Sequence, residues 1–215
     1  MAAKKKSEKE VEIKAFKEII LEVEIEGTTD LILNKMNDVT AKALTDARKD
    51  KAKSLERPNY WEEVITSIHW RDGKPKEFTE ESMKDALINN APCITAFGLK
   101  KSFMNAVVRF DIETYSTRFK ANVNMEDPNG LIPITFAEHF IDEKLMSPQI
   151  GKPILAKINR FTGWGAKFRV HCLDLIYSPE QIINIIRLAG FGMGIGSNLD
   201  AGFGRYEVKS VTVIG

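Results

Sequence analysis

The sequence predicts an α+β protein on three observations. Apolar and polar residues alternate with period two near both ends of the chain, a well-capped apolar-faced helix precedes the last of these strands, and no repeat or low-complexity linker divides the 215 residues. That length makes about one large or two small domains. With 43% hydrophobic residues, the chain can bury a core. Thirty-one Lys and Arg stand against thirty Asp and Glu, which excludes a wholesale electrostatic binder but leaves room for a local basic groove. The expected partition is a flexible leader over 1–15, rich in Lys and Glu, followed by a single domain over 16–215 that carries a charged helical arm at about 35–57.

Leu21, Val23 and Ile25 alternate with Glu22, Glu24 and Glu26, the pattern of a half-buried strand, and Gly27-Thr28-Thr29-Asp30 closes it. From Met36 to Leu55 the reading is helical. Ala41, Leu44, Ala47 and Ala52 form a stripe too thin for a central helix, which suits an arm packed on one side. Val64, Thr66, Ile68 and Trp70 predict a second strand, turning at Asp72-Gly73. A helix is predicted from Glu80 to Asn89 with Thr79 as its N-cap. The middle of the chain is read as a small helix around Lys100–Ala106, strands over Val107–Tyr115 and Phe119–Met125, a turn at Pro128-Asn129-Gly130 and a short helix over Phe136–Met146.

Ile154–Asn159 and Ala166–Ile176 predict a hairpin joined through Thr162–Gly165. Ser178-Pro179-Glu180-Gln181 combines an N-cap Ser, Pro at the first helical position and a capping-box Gln. Ile182, Ile183, Ile185, Ile186 and Ala189 give that helix its buried face, and Gly190 is expected to end it. Tyr206, Val208, Val211 and Val213 make a terminal strand.

No apolar run approaches the roughly 20 residues of a membrane helix, and the basic, polar N-terminus has no hydrophobic run of a secretory signal. Two distant cysteines, Cys93 and Cys172, fit a reducing compartment, so a cytoplasmic protein is expected. Three histidines and two lone cysteines show no metal-ligand spacing. No metal and no cofactor are expected.

Residues 190–204 hold six of the fourteen glycines. Neither a dinucleotide fingerprint nor a Walker loop fits their spacing, and the loop follows a helix rather than a strand. What remains is Gly194-x-Gly196, then Gly202-x-Gly204 followed directly by Arg205. Bare N–H groups there suit an anion-binding concavity, with Arg205 as a phosphate clamp. The competing reading is a crossover packed tightly on the sheet that binds nothing. A second feature is the stretch from Lys144 to Leu173, thirty residues without Asp or Glu. Lys157, Arg160, Lys167 and Arg169 would track phosphates there, and Trp164 would stack on unpaired bases. The bland alternative is a solvated hairpin whose Trp packs on the core. Lys100 and Lys101, at a helix start, are further candidate phosphate contacts.

The tail LAGFGMGIGSNLDAGFGRYEV resembles the C-terminal glycine-rich loop of the RAMP superfamily, CRISPR-associated RNA-binding proteins with ferredoxin-like, RRM-type folds. Pro92–Phe103 is similar to the proline–small–small–Lys–Gly segment that opens a helix in backbone subunits of CRISPR effector complexes. It departs from that pattern at Phe97-Gly98, Lys101 and Asn105. The resemblance implies a ferredoxin-like antiparallel sheet with helices packed on one face, and a homo-oligomer assembled side by side along a strand. The chain also resembles phage early-region proteins sharing this tail.

His69, His139 and His171 offer acid–base groups, and Asp30 or Asp38 a loop aspartate, yet no catalytic set assembles around them. The expected function is therefore non-catalytic binding of single-stranded RNA or DNA. A metal-independent ribonuclease and a phage module that binds a host protein partner are the alternatives.

Overall fold

The structure is a computed structural model that describes residues 16–36, 59–127, 129–146 and 154–214. The predicted leader and residues 37–57 of the predicted arm lie outside the described residues. In chain order the elements are β1 (Glu18–Gly27), β2 (Leu31–Leu33), α1 (Tyr60–Thr66), β3 (His69–Trp70), α2 (Glu80–Asn89), β4 (Pro92–Thr95), α3 (Ala96–Arg109) and α4 (Thr117–Asn122). They continue with β5 (Val123–Met125), β6 (Leu131–Thr135), β7 (Glu138–Met146), β8 (Ile154–Thr162), β9 (Gly165–Leu173), α5 (Pro179–Leu188) and β10 (Tyr206–Val213).

Four strands make a ferredoxin-like core. They lie in the order β10-β1-β9-β5, and every neighbouring pair is antiparallel. In sequence, α3 lies between β1 and β5 and α5 between β9 and β10. Along the same edge of β9, β6 pairs with Ala166 and Gly165 and carries the sheet on through β4 to β3. A second, three-stranded sheet has the order β2-β8-β7.

The period-two patterns place the core. Leu21, Val23 and Ile25 of β1 and Phe168, Val170 and Cys172 of β9 are buried beneath Leu99, Phe103, Ala106 and Val107 of α3 and Ile182, Ile185 and Ile186 of α5. The Phe103 and Phe168 rings lie 6.1 Å apart. Ser178 and Gln181 form the expected capping box at α5, a device worth about 1 kcal/mol. The helix does not stop at Gly190. A π-helical turn over Ala189–Met193 continues it, and Gly190 lies against Tyr206, where a Cβ would collide with the strand.

Several local expectations are corrected. Val64–Trp70 is not a strand: Asn59 caps α1 by accepting from the Glu62 N–H at 2.8 Å, and only His69 and Trp70 pair as β3. Val107 to Arg109 belongs to the end of α3, and Phe119 lies in α4 rather than in a strand. Phe136–Met146 is not a helix, because Glu138–Met146 pairs along its whole length with β8. The predicted hairpin of β8 and β9 is instead a corner, since the two strands belong to different sheets.

A buried polar knot ties the three-stranded sheet to α1. Asn159 on β8 donates to Val64 O at 3.0 Å and Ser67 Oγ at 2.8 Å, and its Oδ1 lies 2.8 Å from His139 Nε2. Burial lowers the His139 pKa, an effect the Asn159 bond partly offsets. A histidine whose folded pKa is depressed binds fewer protons than its unfolded counterpart, so stability falls as pH drops through about 6.5 toward the folded value. Denaturant titrations at pH 7 and pH 5.5 are expected to show a smaller loss for His139→Gln than for the parent. Equal losses would remove His139 from the pH dependence.

Candidate nucleic-acid interface

The sites expected from the sequence do not form one surface. Trp164 is fully buried: its indole N–H donates to Thr29 O at 2.7 Å, and the ring lies against Gly27 and edge-on to Tyr206. It offers no face to a base. Lys167 and Arg169 point from the helix-free face of the sheet toward β1, where register sets Glu24 beside Lys167 and Glu22 beside Arg169. Glu22 pairs with Lys167 at 2.6 Å and with Arg169 at 3.1 Å, and these two bonds lower its pKa. Arg169 also reaches Glu126, His171 lies 2.8 Å from Glu18, and Lys209 approaches both Glu24 and Glu26. A depression of about 580 Å³ on this face is lined by Glu24 and Glu26 as well as Lys167 and Lys209. Lys167 and Arg169 of the acid-free stretch are thus paired with Glu22, about 145 positions away, and Arg169 with Glu126 as well.

Lys157 and Arg160 are likewise engaged. Lys157 lies 3.6 Å from Glu63 and over the Tyr60 ring. Arg160 clamps Asp30 at 2.8 Å and Asp142 at 2.7 Å while covering Phe140, and the two carboxylates raise its pKa. Both residues rivet β8 to its neighbours.

The glycine loop is laced onto β2. Ile195 N–H donates to Gly204 O at 3.0 Å, Ser197 N–H to Ile32 O at 2.9 Å and Gly204 N–H to Asp30 O at 2.8 Å. At Gly204 (φ +69°) a Cβ would run into the Ile195 carbonyl, and at Gly196 (φ +90°) it would meet Ile32 O at 2.5 Å. Gly194 packs on the Gly204 carbonyl, while Gly202 borders open space. Arg205 is not a free clamp: its guanidinium folds back to donate to Leu199 O at 3.2 Å, and its N–H bonds Thr29 Oγ1. The tightly packed crossover describes most of this loop.

One part of it remains available. Ile195, Gly196 and Ser197 form one wall of a groove of about 180 Å³, and Thr95 and Gly98 at the start of α3 form the other. Lys35 and His69 stand in the lining, and among the described residues no carboxylate does. The two motifs, at Pro92–Phe103 and at the chain's tail, therefore converge here, although of the two glycine pairs only Gly196 takes part. Thr95 caps α3 by accepting from the Gly98 N–H at 3.0 Å, and the first turn of α3 has no acidic residue. Burial, with a smaller contribution from Lys35, lowers the His69 pKa. Cys93 lies in the floor, fully buried, with its thiol pushed up to about 11.

Of the two lysines at the helix start, Lys100 turns away to bond Lys120 O and Asn124 Oδ1, and burial lowers its pKa. Lys101 is exposed and makes no ion pair among the described residues. Sequence named His69 only as an acid–base candidate and did not bring it together with Lys35, because their proximity depends on a bond from Lys35 N–H to Ser67 O that folds β2 toward β3. Among the described residues no group of three His, Cys, Asp or Glu could hold a metal ion, and no helix is long and apolar enough to cross a membrane.

No family model and no curated protein matches the chain. Among solved structures, it is similar to a chain in the cryo-EM structure of the Type III-B Cmr-beta bound to cognate target RNA, with 13% identity and a TM-score of 0.46. That likeness covers 92% of this chain and 61% of the other.

Proposed function

We propose that this protein binds single-stranded RNA or DNA without cleaving it, seating the sugar–phosphate backbone in the groove between the start of α3 and the glycine loop. Further copies assemble side by side on the same strand. The observation that carries the reading is the groove's make-up: two glycine-bearing segments about a hundred positions apart close on a strip that contains Lys35 and His69 and, among the described residues, no carboxylate. The N-terminal end of α3 adds partial positive charge, undiminished by any acid in its first turn. The volume lies below the roughly 300–1,000 Å³ of pockets that enclose small molecules. It suits a passing phosphate or ribose of a polymer, and contacts of that kind are sequence-tolerant. The resemblance of both bordering motifs to RAMP proteins implies the same class of ligand.

Fluorescence anisotropy with labelled single-stranded RNA and DNA of equal length, at two salt concentrations, tests this. Lys35→Glu is expected to weaken binding about tenfold and to lower the salt slope by about 0.7 for the lost phosphate contact. Lys167→Ala, on the charge-paired sheet face, is expected to leave affinity unchanged. Native mass spectrometry of the complex counts the copies per strand. Absence of binding at low salt would end this reading and direct the search to a protein partner.

A ribonuclease is the second reading, favoured by the place of His69 in the groove and by a lowered pKa that keeps it neutral near pH 7. RNA recovered intact from the same titrations supports binding alone. Cut RNA, with cutting lost in His69→Ala, supports the enzyme.

A further inference from the structure

We propose that Phe97 and Lys101 form a one-nucleotide platform at the mouth of the groove. The ring stacks on an unpaired base and the ammonium meets the adjoining phosphate, so that the protein selects unpaired strands over duplex. This rests on the nucleic-acid reading of the groove and adds to it how the bases are engaged.

The residues of α3 divide sharply. Leu99, Phe103, Ala106 and Val107 are buried, while Phe97 is 71% exposed. Such a ring in the first helical turn contributes nothing to the core. It stands between Thr95 and Gly98, both of which line the groove. Gly98 presents no side chain between the ring and the groove, and a Cβ there would crowd Thr95 Oγ1 at 2.8 Å. Lys101 lies four residues on, so it shares the exposed face with Phe97 at a rise of about 6 Å. That separation resembles the distance from a base to its own phosphate. Lys101 has no carboxylate partner among the described ion pairs, unlike Lys157, Arg160, Lys167 and Arg169 of β8 and β9. Phe191, as exposed as Phe97, lies instead beside Gly192, on which Phe110 at the opposite end of α3 packs.

Bases in a duplex keep their faces stacked, so a ring of this kind engages only unpaired ones. The test uses a single-stranded oligonucleotide carrying 2-aminopurine and the corresponding duplex, with the parent protein, Phe97→Ala, Phe97→Trp, Lys101→Ala and Lys35→Glu. The parent is expected to quench the 2-aminopurine. Phe97→Ala is expected to abolish quenching and weaken single-strand binding between about fivefold and a hundredfold, the range that stacking one base provides. Phe97→Trp is expected to restore both. Lys101→Ala is expected to lower the salt slope without abolishing quenching. Duplex binding is expected to stay weak and equal in the parent and Phe97→Ala.

Single-strand binding that Lys35→Glu weakens but Phe97→Ala leaves intact would overturn the platform while the groove stands. Failure of the parent to bind any strand would overturn both. Because Phe97 is exposed, unchanged thermal unfolding of Phe97→Ala accompanies the expected result, and a folding defect would contradict the placement of the ring.

Discussion

Trp164→Ala is expected to lower stability by about 3–5 kcal/mol, the cost of truncating a large buried aromatic, with strand affinity per folded molecule nearly unchanged. The indole fills the angle where β8 hands over to β9, against Gly27 and Tyr206, and its N–H satisfies Thr29 O. Truncation leaves both a cavity and an orphaned carbonyl, and the loss of that buried hydrogen bond adds to the cavity term. Gly27 N–H donates to Trp164 O at 2.7 Å, so the backbone of the corner is tied as well and cannot simply collapse into the space. Denaturant midpoints at an unchanged m-value measure the effect. Unchanged stability with lost strand binding would instead restore Trp164 as a stacking residue.

Gly204→Ala carries the second large expected effect. An L-residue at its left-handed φ costs roughly 1–2 kcal/mol. The added Cβ meets the Ile195 carbonyl, which the bond from Ile195 N–H to Gly204 O holds close. Overpacking against fixed backbone adds typically 1–3 kcal/mol, so the total is about 2–5 kcal/mol. Gly202→Ala isolates the dihedral contribution, since Gly202 has a similar φ of +87° and open space around its missing Cβ. It is expected to cost only about 1–2 kcal/mol. Equal losses in the two variants, read by thermal or denaturant unfolding, would show that the lacing of this loop onto β2 is not what requires Gly204.

The parts of the fold that were legible in the sequence are those whose signal is local. The alternation of Leu21, Val23 and Ile25 with glutamates survives as β1, and the Ser178–Gln181 box opens α5 as expected. Thr79 caps α2 in the same way. Where the pattern was ambiguous, pairing decided. Residues 138–146 contain helix-favouring Glu, Lys and Leu, yet continuous pairing with β8 makes them a strand, an instance of context overriding propensity. Val64, Ile65 and Ile68 are all buried, which fits a helical face better than alternation, and Asn59 followed by Glu62 and Glu63 was the unread start signal.

The candidate site was less legible for the same reason. A run of thirty residues without acids looks basic along the chain, but β9 lies beside the glutamates of β1. Electrostatic character belongs to a surface, and that surface is assembled by register. The convergence of Gly98 with Gly196 was half visible, since both motifs stood out. Lys35 and His69 had no sequence signal linking them to either. Phe97 was visible as a departure from the resembled pattern, and only its exposure gives that departure a meaning.

Photo-crosslinking tests the central claim most directly. A single-stranded oligonucleotide bearing 4-thiouridine is bound, irradiated and mapped onto the protein by mass spectrometry. The account predicts crosslinks in the peptides containing residues 95–101 and 195–197, reduced in Lys35→Glu. Crosslinks confined to the sheet face that carries Glu22, Lys167 and Arg169 would contradict it.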